Sequence, residues 1–187
     1  MSDFMKLAAA VAVLVALSAT AHAQHQHVSG YAGMTARPIK ALSDDQIIQL
    51  REGRGMGLSL PAELNSYPGP VHVLEMDQLL ALTAEQRARL SALQSDMSSQ
   101  AKALGVRIIA AESRLDAAFA AGTAQQPDIL ALLNEIGRLN AELRAVHIVA
   151  HMETRAVLRP EQIARYDTER GYTQQQPARP SAPGHRH

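Results

Sequence analysis

The chain has 187 residues with 18 Lys and Arg against 18 Asp and Glu, so nothing in its balance drives it toward nucleic acid. It has no Cys, and therefore neither a disulfide nor a thiol nucleophile. Aromatics make up 3% while Ala and Leu abound, a composition for long helices and against a β-sandwich.

Residues 1–23 read as a secretory signal. Leu7–Leu17 is an apolar run too short to span a bilayer comfortably, and Ala21-His22-Ala23 is a small-x-small cleavage site. Asp3 weakens the basic start, which makes Met5 the better first residue of such a signal. The alternative is a retained membrane anchor, against which the well-placed cleavage site stands. Cleavage after Ala23 removes Asp3 and Lys6, leaving 18 − 1 = 17 charges of each sign and an expected periplasmic chain. Residues 24–42 are polar, Gly-containing and aperiodic, the pattern of a flexible arm.

A helical domain is expected over residues 43–172. Ser43 with Gln46 forms a capping box for a short helix that Gly53 stops. Gly53 to Pro70 reads as loop with one turn of helix, and Pro70 then opens a helix whose Val71, Leu74, Leu79 and Leu82 are available to pack. Thr83 with Gln86 starts a long helix running to about Ala121, before Gly122. Leu90, Leu93, Met97, Ala101, Leu104, Ile108, Ala111, Leu115 and Ala118 recur on it at spacings of three and four. Pro127 opens a second long helix with the stripe Ile129, Leu132, Ile136, Leu139, Leu143, Val146, Ala150 and Val157. Pro160 stops it and begins a last helix ending at Gly171, and residues 173–187 read as a disordered, His-containing tail. The fold class is all-α: a long antiparallel helical hairpin with short flanking helices. Two helices bury little core, so one apolar face needs a cover, either a second copy of the chain or a client.

One phrase occurs twice. LTAEQRARL (Leu82–Leu90) and LRPEQIARY (Leu158–Tyr166) share Leu, Glu-Gln and Ala-Arg at the same places, and both fall at helix starts. No residue in either is a nucleophile with a partner, so the local reading is architectural. Leu82, Thr83 and Gln86 make a full L-T-x-x-Q motif; Leu158 and Gln162 make a second with Arg159 in the Thr place, where no Thr-type cap is possible. With a signal segment and an all-helical chain, these motifs resemble the Spy/CpxP family of periplasmic proteins, related to the ZraP and CnrX-type metal-responsive proteins. The resemblance covers roughly Pro70 to Tyr172, with no counterpart for Ser43 to Pro70. It implies a cradle-shaped homodimer that binds unfolded clients without ATP, a link to a membrane-bound signalling protein, or binding of a divalent transition metal (Zn, Ni, Co or Cu).

Seven His follow the signal. His25, His27, His185 and His187 lie in the arm and tail. His147 and His151 stand one helical turn apart and can chelate one ion; His72 and Met76 form another such pair, with Glu75 a turn from His72. The competing reading is a hydrogen-bonded or solvated histidine at the edge of the apolar stripe, which needs no metal. Leu90, Leu93, Met97, Leu104 and Ile108 are the residues expected on the client or dimer face. The charges Arg87, Arg89, Lys102, Arg107 and Arg114, among Glu85, Asp96, Glu112 and Asp116, read as a solvated mixed face or as a surface holding unfolded chains. No phosphate-binding loop and no Ser-His-Asp set occur, so no enzyme and no required cofactor are expected.

Overall fold

The computed structural model describes residues 29–173; the signal, residues 24–28 of the arm and nearly all of the tail lie outside them. Residues 29–35 belong to a unit separate from the rest, in which Ala32–Met34 makes one 3₁₀ turn. The rest is a helical assembly: α1 (Asp44–Glu52), α2 (Leu60–Glu63), α3 (Pro70–Glu75), α4 (Asp77–Leu80), α5 (Ala84–Ala120), α6 (Gln126–Val157) and α7 (Pro160–Glu169). No helix among the described residues is long and apolar enough to cross a membrane.

The hairpin is α5 against α6, turned at Gly122 with φ +65°, a left-handed conformation that glycine adopts without a Cβ penalty. Its two stripes meet in an upper core that includes Leu104, Ile108, Leu139 and Leu143. This core begins earlier in the chain than Ser43. Ile39 and Leu42 are buried in it, and Lys40 donates through its backbone N–H and its Nζ to Asp116 (3.2 and 3.1 Å). The end of the expected arm is therefore part of the packed unit.

α1 forms as its capping box dictates. Gln46 N–H donates to Ser43 Oγ (3.2 Å), and Ser43 N–H donates to Gln46 Oε1 (2.8 Å). It lies along α5 and approaches so closely that a Cβ on Gly105 would stand 1.9 Å from the Leu50 carbonyl oxygen. Much of the cover expected from a second copy or a client is thus supplied by residues 39–75 of the same chain. Of the five residues expected on an outward face, Leu90, Leu104 and Ile108 are buried in the chain's own cores. Leu93 and Met97 stay half-exposed.

The helix expected from Pro70 is broken. α3 ends at Met76, and Ala81 closes α4 in the left-handed region at φ +47°. The break redirects the packing. Val73 (0% exposed) and Leu80 (2%) enter the lower core with Leu82, Leu90, Leu158 and Tyr166, while the expected Leu79 is exposed. Arg87 fixes the corner by a two-point contact with Asp77 (2.6 and 3.1 Å).

The repeated phrase closes the lower end. Gln86 and Gln162 exchange amide hydrogen bonds, Nε2 of each donating to Oε1 of the other (2.9 and 3.1 Å). Each Oε1 also accepts from the backbone at its own helix start, Thr83 N–H (3.0 Å) and Arg159 N–H (2.9 Å). The remaining Nε2 protons go to Val157 O (2.9 Å) and Leu80 O (3.0 Å). All four bonding positions of both amides are filled, the condition under which a buried polar pair specifies a fold. The Thr83 side chain completes its box with Gln86 N–H (3.1 Å). Arg159 has no side-chain acceptor, so only the Gln162 half of the second box exists.

Candidate metal centre

The middle of α6 carries polar residues on its buried face: His147 (3% exposed), His151 (7%) and Thr154 (0%). Heptad counting puts His147 beside the stripe and His151 farther round. The loop from Gly53 to Gly69 changes the outcome by lying over both. Gly55 passes the His147 ring, where a Cβ would be 3.7 Å from Nδ1. Gly69 passes the His151 ring, where a Cβ would be 2.9 Å from Nε2. Both close approaches use glycine.

The loop is clasped by α6 residues four apart. His151 Nδ1 is 2.7 Å from the Tyr67 carbonyl oxygen, Arg155 donates to the Ser66 carbonyl oxygen (2.9 Å), and the Arg155 guanidinium lies 4.3 Å over the Tyr67 ring. A carbonyl oxygen only accepts, so the His151 proton sits on Nδ1 and Nε2 is left with its lone pair.

His147 differs. Its Nε2 is buried and has no hydrogen-bond partner in the chain. Burial pushes its imidazole below the usual pKa, and the neighbouring His151 pushes the same way. A neutral imidazole with an unshared buried nitrogen is costly as pure structure and is the form that ligates a metal.

His72, His147 and His151 line one cavity of about 470 Å³, together with Met97. Two of the expected tentative ligands do not join them. Met76 packs against the lower core, and Glu75 pairs with His72 (3.1 Å) on the surface. Among the described residues no three His, Asp or Glu side chains converge closely enough to hold an ion. His147 and His151 stand one helical turn apart on α6, with His72 and the Met97 thioether among the residues that line the same cavity.

Sequence reasoning missed Glu63. It is 6% exposed, at the end of a four-residue helix inside a stretch read as loop. Its Oε1 accepts from Tyr166 (2.5 Å) and Tyr172 (3.0 Å), and its Oε2 accepts from Gly69 N–H (3.2 Å) and lies 3.5 Å from His151 Nδ1. Burial and the bond to Glu63 both push the Tyr166 phenol upward. A Glu in a Gly- and Pro-rich segment gives no periodic signal, and only the tertiary contact with α7 shows its place.

Fold and cavity together define an all-helical hairpin protein with a buried imidazole pair. The chain belongs to the heavy-metal resistance family, the group of Spy/CpxP-, ZraP- and CnrX-type proteins: the family model of that description matches residues 69–165, just over half of the 187. The match includes His72, His147, His151, the first repeated phrase and the second as far as Arg165, and it leaves out α1, α2 and Glu63. No curated protein and no solved structure matches the chain.

Proposed function

We propose that this is a periplasmic metal-binding protein of the resistance or sensor kind, not an enzyme, which takes up a divalent transition metal of the Zn, Ni, Co or Cu class at His147 and His151. The observation that carries the reading is the buried, partnerless Nε2 of His147, one helical turn from an imidazole that presents its own Nε2 lone pair. Imidazole nitrogen suits these metals rather than Ca or Mg. His72 and Met97 stand on the same cavity wall for ligands beyond the pair. The site of action follows from the signal read in residues 1–23. Homodimerisation and a membrane-bound signalling partner belong to the proposal on the strength of the family.

The test is chelator competition with zinc and nickel, comparing the natural chain with a His147→Ala/His151→Ala double variant. The terminal His-x-His pairs are present in both, so the difference between the two proteins is the site. At a hundredfold excess over Kd, a metal that binds only the folded state stabilises it by about 2.7 kcal/mol, a rise in Tm of roughly 5–10 °C for a chain of this size. Equal affinities in the two proteins would end the reading.

A second reading is ATP-independent holding of unfolded clients. What favours it is a groove where Leu93 and Met97 meet Val146 and Val149, with the exposed Met152 on the same helix as the two valines. Suppression of client aggregation by metal-free protein, measured by light scattering, would support it; no suppression at any ratio would remove it.

A further inference from the structure

The cavity accounts for two imidazoles but not for why a carboxylate lies behind one of them. Glu63 is nine-tenths buried and held at both oxygens. Tyr166 and Tyr172 donate to Oε1, with Arg170 3.8 Å away, and Gly69 N–H donates to Oε2. That hold points Oε2 at His151 Nδ1, 3.5 Å off, on the side where Tyr67 O already accepts. At the Cε1–Nε2 edge of the ring lies Gly69, the residue whose N–H Glu63 grips; a Cβ there would come within 2.9 Å of both atoms. One carboxylate therefore touches both what faces the protonated nitrogen and what borders the free one.

The geometry points to Glu63 as a positioning residue for His151, fixing the ring with its proton on Nδ1 and its Nε2 lone pair toward the cavity, while Gly69 keeps that nitrogen uncovered. The inference rests on the metal-binding reading for its purpose, but its first readout needs no metal. A negative charge beside Nδ1–H favours the proton there and makes Nε2 a better donor to a cation. Tyr67 O alone is a neutral acceptor and supplies the direction without the charge. Tyr166 and Tyr172, the first on α7 and the second just beyond it, tie the carboxylate to the last helix, so the orientation of His151 is set from outside α6.

The test uses the full chain, stripped of metal. Long-range ¹⁵N–¹H spectra report which His151 nitrogen carries the proton, and zinc competition reports affinity. In the natural chain the Nδ1–H form is expected to dominate. Glu63→Gln is expected to shift His151 toward a mixture of tautomers and to weaken zinc binding about ten- to a hundredfold. Tyr166→Phe removes a hydroxyl from the other side of the same carboxylate, so it lowers stability while leaving the tautomer alone. Gly69→Ala keeps the carboxylate, and its backbone at φ −83°, ψ 148° is open to alanine; it is expected to weaken zinc binding without moving the proton.

An unchanged tautomer and affinity in Glu63→Gln would overturn the proposal and show that Tyr67 O suffices. A loss of affinity no larger than in Tyr166→Phe would overturn it too, by reducing Glu63 to a structural role. Should Glu63→Gln fail to fold, unchanged zinc affinity in Gly69→Ala overturns it. If the natural chain binds zinc no better than His147→Ala/His151→Ala, the metal reading falls, and the tautomer of Glu63→Gln in metal-free protein still decides the positioning role on its own.

Discussion

The same substitution should have opposite signs at two helical glycines. Gly137 sits mid-helix on α6 with nothing within 4 Å of the place an added methyl would take, so Gly137→Ala meets open space. It removes backbone freedom from the unfolded chain and should stabilise by about 1 kcal/mol. Gly105, on α5, enjoys the same propensity gain of about 1 kcal/mol. There, however, the methyl would lie 1.9 Å from Leu50 O and 2.6 Å from Leu50 C, both backbone atoms that no rotamer change can move. Reaching ordinary contact requires α1 to retreat by more than an ångström. Overpacking of this kind costs about 1–3 kcal/mol, and freeing Leu50 from the core costs roughly 1.5–3 kcal/mol more. Gly105→Ala should therefore destabilise by a net of about 2 kcal/mol or more, a fall in Tm of roughly 4–8 °C. Urea unfolding followed by circular dichroism measures both variants. A Gly105→Ala protein as stable as Gly137→Ala would refute the docking of α1 on α5.

Gln162→Ala should cost about 2–4 kcal/mol in urea unfolding, because it strands Leu80 O, Arg159 N–H and half of the Gln86 amide; a loss under about 0.5 kcal/mol would sink the amide-pair account. Arg159→Thr should stabilise by about 1 kcal/mol in the same assay, since it adds the missing cap acceptor and gives up only an exposed contact with Glu161. The His147 pKa is lowered on folding, so its contribution is present above the unfolded value of 6.5 and is lost as pH falls below it. Melting between pH 7.5 and 5 should show that decline, and His147→Gln should flatten it. Arg155→Ala should speed hydrogen exchange at Tyr67 and Gly69 by freeing the strap that Arg155 holds at Ser66; unchanged exchange would mean His151 and Glu63 hold it alone.

The hairpin was legible because its signals are local. Ser43 with Gln46 and Thr83 with Gln86 announce helix starts within four residues, and the stripes of α5 and α6 repeat often enough to outvote Gly137. The break at Met76 was not legible. Pro70 to Leu82 contains no Gly or Pro after its first residue, and the left-handed Ala81 stands between Leu80 and Leu82, both of which are buried in the lower core. His147 and His151 could be named from their spacing, but their burial could not, because it is imposed by a loop whose glycines say only that it turns. Glu63 fell in the same blind region. A single carboxylate acquires meaning only when Tyr166, 103 residues later, arrives beside it.

The repeated phrase and the imidazole pair are connected by geometry. Gln162 anchors the start of α7 to Gln86 and Leu80, and the first full turn and a half of α7 then delivers Tyr166 to Glu63. Glu63 grips Gly69 and faces His151, whose own turn of α6 holds His147. An error in the pairing of the two motifs would rotate α7 and withdraw Tyr166 from the carboxylate, so the motif fixes the setting of the carboxylate beside His151. Gln162→Ala should consequently act as Tyr166→Phe does, lowering stability and leaving the His151 tautomer alone. A Gln162→Ala/Tyr166→Phe double variant should lose less stability than the sum of the two single losses, as expected of residues in one connected network.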